Sequence, residues 1–316
     1  TRLRGYVQIK TGGFTLAGYN AAPDKAAYAS QYAGYLGPVI VAQKNRPVRV
    51  KLVNLLPTGA KGNLPFPVDH TYMGSDGPTD TDNRTSVHLH GGNTPWISDG
   101  TARQWVKPKG EAGPNRGESA RNVPDMWFDA TGTLISSCAG KAYCTTNGTP
   151  TGTPVGGATN DPGAGALTFF YTNEQSARLM FYHDHAEGVT RLNVYAGMAG
   201  TYLLQDPTEQ ALVSNGTIPT DMIPLVIQEK TFVPDDTTPV LNFYGPFKSQ
   251  LNSQDPTWRW GSGKAVSGNM GNGDLWVPHV FMPNQNPGDV SGANAVGRWD
   301  YGPWFWPPFT GIQNGP

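Results

Sequence analysis

Apolar residues fall along this chain in short runs closed off by glycine, proline and asparagine, a pattern of many turns and short strands rather than long helices. The clearest run is residues 48–56. Val48, Val50 and Leu52 alternate there with Arg49 and Lys51, the period of two expected of a half-buried strand, until Val53 breaks the alternation. Residues 39–42 form a second strand candidate, joined to the first by the turn-like Gln43-Lys44-Asn45-Arg46-Pro47. Short aromatic and β-branched runs at 4–9 and 14–19 flank Gly12-Gly13 and predict a hairpin. Further strands are expected at 85–89, 167–171, 179–182, 201–204 and 225–228, and a helical turn at 189–194.

Between these runs, residues 57–84 are dense in Pro, Gly, Asp and Thr and predict a long surface loop. Residues 107–165 are rich in Gly, Pro, Thr and Asn. Asp206-Pro207 marks an expected boundary between a first domain, residues 1–205, and a remainder, residues 206–316. In the last seventy residues the pattern changes, and six of the nine tryptophans (258, 260, 276, 299, 304 and 306) fall among Pro, Gly and Asn. Such an irregular aromatic arm must bury its rings, either on a partner or on its own first domain.

Composition narrows the picture. With 316 residues the chain is long enough for a sizeable core, and 40 glycines with 28 prolines favour an all-β fold. The formal net charge is −1 and no basic run stands out, so nothing points to nucleic acid or an anionic membrane as partner. The longest apolar runs are too short for a membrane-spanning helix. The chain starts at Thr1 without a charged and apolar leader, as a processed product would. Cys138 and Cys144 are the only cysteines and lie in a loop of small and polar residues. They predict one small disulfide and hence an oxidising compartment, so a secreted, extracellular or periplasmic protein is expected. Asn83, Asn147 and Asn215 each begin an N-x-[ST] triplet, relevant only in a eukaryotic secretory host.

Candidate chemistry is concentrated in histidine. Four of the six histidines form two His-x-His pairs, His88-Leu89-His90 and His183-Asp184-His185. Alternate side chains of an extended segment share a face, so each pair presents two imidazoles in one direction. Random placement would yield only about 0.1 such pairs in a chain of this composition. A purely structural reading, with strand histidines satisfied by hydrogen bonds, explains one pair better than two. An all-nitrogen set without cysteine suits copper or zinc, and the ligand chemistry alone does not separate these metals. His70 beside Asp69, and His279, lack a spaced partner and read as structural. Asp99 in Ser98-Asp99-Gly100 reads as an ordinary Asp-Gly turn.

The segments His88-Leu89-His90-Gly91-Gly92, Ser98-Asp99-Gly100, Tyr182-His183-Asp184-His185-Ala186 and residues 190–197 resemble the first two copper motifs of the multicopper oxidases. The likeness is to the bacterial branch that includes spore-coat laccase, bilirubin oxidase and phenoxazinone synthase, and it runs from Gly37 to about Leu204. It implies a cupredoxin-like Greek-key β-sandwich with long loops, followed by an irregular arm and the start of a second cupredoxin-like domain. It also implies half of a trinuclear copper site that reduces dioxygen to water. His88 matches the type 2 copper ligand, and His90, His183 and His185 match type 3 ligands. Asp99 matches an acid near the type 2 copper that assists proton delivery. The region 107–165 is longer than the family's connection between these motifs and resembles an insertion.

Where the chain departs from the family is as informative. No Cys-His dipeptide, H-x-x-H-x-H or H-C-H-x-x-x-H motif occurs, so the type 1 copper and the other cluster ligands are expected on a second polypeptide carrying the C-terminal cupredoxin domains. The resemblance then implies dioxygen and a small reductant as reactants. Phenols, bilins, aminophenols and metal ions remain open as the reductant. The competing reading is a non-catalytic copper- or zinc-binding β protein, a metal store or chaperone.

Overall fold

The computed structural model describes residues 1–59, 64, 68, 73–77, 80–123, 126–129, 134–135, 159–230, 232, 274–275, 280–283 and 293–299. The two cysteines, His70, His279 and five of the six arm tryptophans lie outside these residues, as does the side chain of Trp299. The chain divides into two compact units. The larger comprises Gly5–Leu64 and Val68–Val226, and the smaller comprises Thr1–Arg4, Pro65–Pro67 and Ile227–Pro316.

The larger unit bears out the expectation of a mainly β fold with two packed sheets. Strands β1 (Gly37–Gln43) and β2 (Val48–Val53) are followed by β3 (His88–His90), and the short β4 (Trp127–Phe128) pairs with β5 (Leu134–Ile135). Then come β6 (Ala166–Tyr171), β7 (Arg178–His183) and β8 (Ala199–Gln205). One sheet has the order β1-β8-β7-β3, with β1 parallel to β8 and the other pairings antiparallel. A second sheet pairs β2 with β6, Val48 to Val53 running against Tyr171 to Ala166.

The two sheets meet in one apolar core. Leu52 from β2 and Leu167, Phe169 and Tyr171 from β6 pack with Ala42, Leu89, Met180, Tyr182, Tyr202 and Leu204 from the larger sheet. The alternation in β2 works as expected, with Leu52 buried and Lys51 exposed on the other face. Tyr182 is clamped where it crosses β8. A side chain at Gly200 would overlap the Tyr182 ring, and the Tyr182 hydroxyl donates to the Pro38 carbonyl at 2.6 Å. β7, which delivers the second histidine pair, is thereby fixed against both β8 and β1.

Short helices edge this scaffold: α1 (Leu16–Ala21), α2 (Lys25–Ser30), α3 (Glu118–Arg121), α4 (Thr190–Tyr195) and α5 (Pro207–Ser214). The hairpin expected over 4–19 does not form, and the bridge found there, Ile9 to Phe14, is parallel rather than antiparallel. The expected second arm is α1, because the Thr15 side chain accepts the Gly18 N–H and caps a helix there. Asp206, the expected boundary, caps α5, and the larger unit continues to Val226.

Two further expectations need correction. Residues 225–228 form no strand, and Leu225 and Ile227 are strongly exposed. The loop expected over 57–84 is not wholly superficial, since Asn83 and Arg84 are buried, as are Thr85 and Ser86 just after it. Most of their polar groups find partners internally: the Asn83 amide donates to Pro57 and Glu111, and Arg84 donates through Nε to the Thr81 carbonyl and through Nη1 to the Glu187 carbonyl, while its buried Nη2 has no hydrogen-bond partner among the described residues. That burial leaves the Asn83 triplet inaccessible to glycosylation. In the smaller unit, β9 (Val280–Pro283) pairs with β10 (Ala293–Trp299), Phe232 bridges Leu275, and the Thr1 ammonium lies 3.4 Å from Asp274.

Candidate metal centre

The antiparallel register of β3 and β7 sets His88 opposite His183 and His90 opposite Phe181. The two histidine pairs therefore start from neighbouring strands at one end of the sheet, as their spacing suggested. Only the first pair lies wholly within a strand. β7 ends at His183, and Asp184 and His185 continue without strand pairing before α4.

The four imidazoles converge. Ring centroids lie 5.0 Å apart for His88 and His185, 5.5 Å for His88 with His90 and with His183, and 5.6 Å for His183 and His185. His88, His90 and His183 each offer a nitrogen within 4.8 Å of the others. The backbone orients two of these rings. His88 Nδ1 donates to the Asp99 carbonyl at 2.6 Å, and His183 Nδ1 donates to the Asp184 carbonyl at 2.7 Å. A carbonyl only accepts, so the proton sits on Nδ1 and the Nε2 lone pair of each ring is open toward the cluster.

The remaining pair completes a donor set suited to a metal. His90 turns its Nδ1 toward His183 Nε2 at 3.3 Å. His185 Nδ1 is buried and has no hydrogen-bond partner among the described residues. An orphaned imidazole nitrogen beside three other convergent ones fits coordination better than a satisfied polar core. Burial, and then the neighbouring imidazoles, push the His183 pKa down to about 4, so this ring is neutral and able to ligate near neutral pH.

Asp99 closes the turn after the short 3₁₀ helix Trp96–Ser98. Gly100 follows with φ +69°, where an added Cβ would overlap the Val87 carbonyl, so glycine is required. The Asp99 carboxylate accepts from Thr94 Oγ1 at 3.0 Å and lies 3.5 Å from His88 Nδ1. The turn reading of Asp99 is thus correct in geometry, and the turn also puts a partly exposed acid beside His88.

Sequence reasoning passed over the residues that frame these ligands. Phe181 stacks on His90 at 4.6 Å with an 18° tilt, and on His183 at 5.2 Å. Asp184 is fully buried and collects four hydrogen bonds, from Thr85, Ser86, Ala186 and Asn193. A signal existed: the middle residue of a His-x-His pair faces away from the imidazoles, toward the core, and an acid pointed there must be partnered.

No family model matches the chain. Relatives are nonetheless found by sequence. A laccase of Bacillus stratosphericus is 35% identical over 207 residues, which cover 65% of this chain and 30% of that protein. A laccase of Bacillus subtilis is 31% identical over 202 residues, 63% of this chain and 29% of the relative. Bilirubin oxidase of Albifimbria verrucaria is 42% identical over 64 residues, 20% of this chain and 11% of the relative. The chain thus spans less than a third of the length of the curated relatives it matches. Among solved structures, a variant of the McoA multicopper oxidase from Aquifex aeolicus aligns with 63% of this chain and 26% of its own, at 22% identity and a TM-score of 0.33. The likeness seen in the two histidine pairs extends through the sequence around them, and the N-terminal part of this chain is similar in sequence to proteins named laccase and multicopper oxidase.

Proposed function

We propose that this chain contributes half of a trinuclear copper site to a multicopper oxidase that reduces dioxygen to water. The observation that supports this most directly is the convergence of four imidazoles, from β3 and from the end of β7 with the segment just after it, within the part of the chain similar to laccases. In this reading His88 holds the type 2 copper, and His90, His183 and His185 hold the type 3 copper pair. Copper at such a site supplies the redox chemistry that converts dioxygen to water.

The chain's own residues do the positioning. The Asp99 and Asp184 carbonyls fix the Nδ1 protons of His88 and His183 and so aim Nε2 inward. Burial keeps His183 neutral. Asp99, a third exposed beside His88, would pass protons inward from solvent, since making water consumes protons in a dry pocket. The type 1 copper, the reductant site and the other cluster ligands would lie outside these 316 residues, which hold no Cys-His dipeptide or further histidine pair, and in this proposal a second polypeptide supplies them. A disulfide between Cys138 and Cys144 would go with a secreted or periplasmic location.

Intact mass, metal analysis and electron paramagnetic resonance of an active preparation test this. The expected result is about four coppers per complete set of sites, with type 1 and type 2 signals, and a co-purifying chain with an H-C-H motif. Full oxidase activity from a single 316-residue polypeptide would remove the second chain from the proposal. Bound zinc or copper without dioxygen consumption would favour a metal store instead.

A further inference from the structure

The carboxylate between the two histidines of the second pair has no part in the function as proposed, yet its contacts are unusual. Asp184 is 0% exposed. Its Oδ1 accepts from Thr85 Oγ1 at 2.8 Å and from the Ser86 N–H at 2.9 Å. Its Oδ2 accepts from Asn193 Nδ2 at 2.9 Å and from the Ala186 N–H at 3.2 Å. The donors come from three segments, and each leads to a proposed ligand. Thr85 and Ser86 run into His88 and His90, Ala186 follows His185, and Asn193 projects from the helix after the second pair while also donating to the Arg84 carbonyl at 3.2 Å.

A carboxylate at this depth is costly unless its lone pairs are filled, and an apolar residue would occupy the volume without that cost. A role in overall stability would not require three of the four hydrogen-bond donors to lie in the segments that carry the histidines, with the fourth in the helix that follows. Nor is the requirement general to such pairs, since the corresponding middle residue of the first pair, Leu89, is a plain core residue at 2% exposure. The second pair differs because it leaves β7 after His183, so strand pairing does not hold His185. Backbone bonds from the Asp184 N–H to Met198 and from the Glu187 N–H to Ala102 flank His185, and the carboxylate adds bonds from its own position to the segment entering the first pair and to Ala186 and Asn193.

We propose that Asp184 is a positioning residue, a buried carboxylate latch that ties the segment entering the first histidine pair to both flanks of the second, so that the four imidazoles are in place before metal binds. This rests on the reading of the four histidines as metal ligands. Groups that hold and orient ligand histidines typically change metal affinity 10- to 100-fold when removed. Asp184→Asn keeps the shape but places an amide NH₂ against donors, so about that loss is expected. Thr85→Val deletes one of the four bonds and should give a smaller loss in the same direction, whereas Thr85→Ser keeps the hydroxyl and should behave as wild type.

The test is titration of the full chain, with any partner it carries, using copper(II), together with the paramagnetic resonance spectrum of the loaded protein. Weaker binding and altered copper hyperfine splitting in Asp184→Asn and Thr85→Val, with both restored in Thr85→Ser, support the latch. Wild-type affinity and spectrum in Asp184→Asn and Thr85→Val overturn it, even where the melting temperature falls. Should Asp184→Asn not fold, the threonine variants decide: identical affinity and spectrum for valine and serine overturn the latch. A wild-type chain that takes up no copper overturns the metal-site reading and the latch together, while uptake that is indifferent to these variants overturns the latch alone.

Discussion

The two histidine pairs share a spacing but are built differently. The first lies entirely in β3, an edge strand of the four-stranded sheet, and its middle residue, Leu89, is anchored in the apolar core. Its imidazoles are the more accessible, with His90 exposed and leaning on Phe181. The second starts at the end of β7, which is flanked by β3 and β8, and then leaves the sheet around a buried acid. Pleat and hydrophobic burial aim the first pair, while hydrogen bonds between distant residues aim the second. The same substitution should therefore have different consequences in the two places.

The largest effects come from deleting a ligand. His183→Ala and His90→Ala should both deplete cluster copper and abolish dioxygen reduction, measured by metal analysis and oxygen uptake. Their effects on the metal-free fold should differ. His183 is buried, stacked on Phe181 and bonded through Nδ1, so its loss should cost the metal-free chain about 1–3 kcal/mol. His90 is exposed, and its loss should stay within about 0.5 kcal/mol. Equal shifts in metal-free melting temperature would erase the contrast. Unchanged copper content and turnover in His183→Ala would end the ligand assignment altogether.

That contrast tracks what was legible in the sequence. β2, β6, β7 and β8 were expected within a few residues of their positions, because alternation and apolar runs report burial locally. The convergence of the four histidines was also legible, since two pairs of the same spacing imply one shared face. What was not legible depends on contacts between distant residues. The burial of residues 83–86 has no local signal, because polar residues there are paid for by Glu111, Asp184 and Glu187 far along the chain. The strand expected over 14–19 is a helix, although Thr15 was a readable cap, because aromatic residues were given more weight than the capping residue. At 225–228 an apolar run had no pairing partner among the described residues, and composition alone does not make a strand.

A smaller effect sharpens the role of the turn beside the first pair. Asp99→Asn keeps the backbone carbonyl that orients His88, and an asparagine oxygen can still accept from Thr94. Copper should be retained. Turnover should slow, increasingly so as pH rises and protons become scarce, if the carboxylate passes protons to the site. A flat pH dependence of the ratio of mutant to wild-type rates would leave Asp99 as a turn residue only, and loss of copper with normal turnover per remaining site would show that the turn itself holds His88.

The smallest effect concerns the metal-free chain and turns on the burial of His183. The pKa of His183 falls from its ordinary 6.5 to about 4, first through burial and then through the other three imidazoles, against the opposing hydrogen bond to the Asp184 carbonyl. Above pH 6.5 the ring is neutral in both folded and unfolded states and contributes no pH dependence. Between 6.5 and about 4 the unfolded chain takes up a proton that the folded site refuses, so stability falls as pH falls. Asp184 acts in the opposite sense, because burial raises its pKa and the folded state gains a proton first as pH drops. Subtracting one protein from another isolates the histidine: the melting-temperature advantage of wild type over His183→Ala should shrink from pH 6.5 toward 4. A wild-type advantage over His183→Ala that holds constant across this window would mean that burial does not hold His183 neutral, and the contrast drawn for this buried ring would fail.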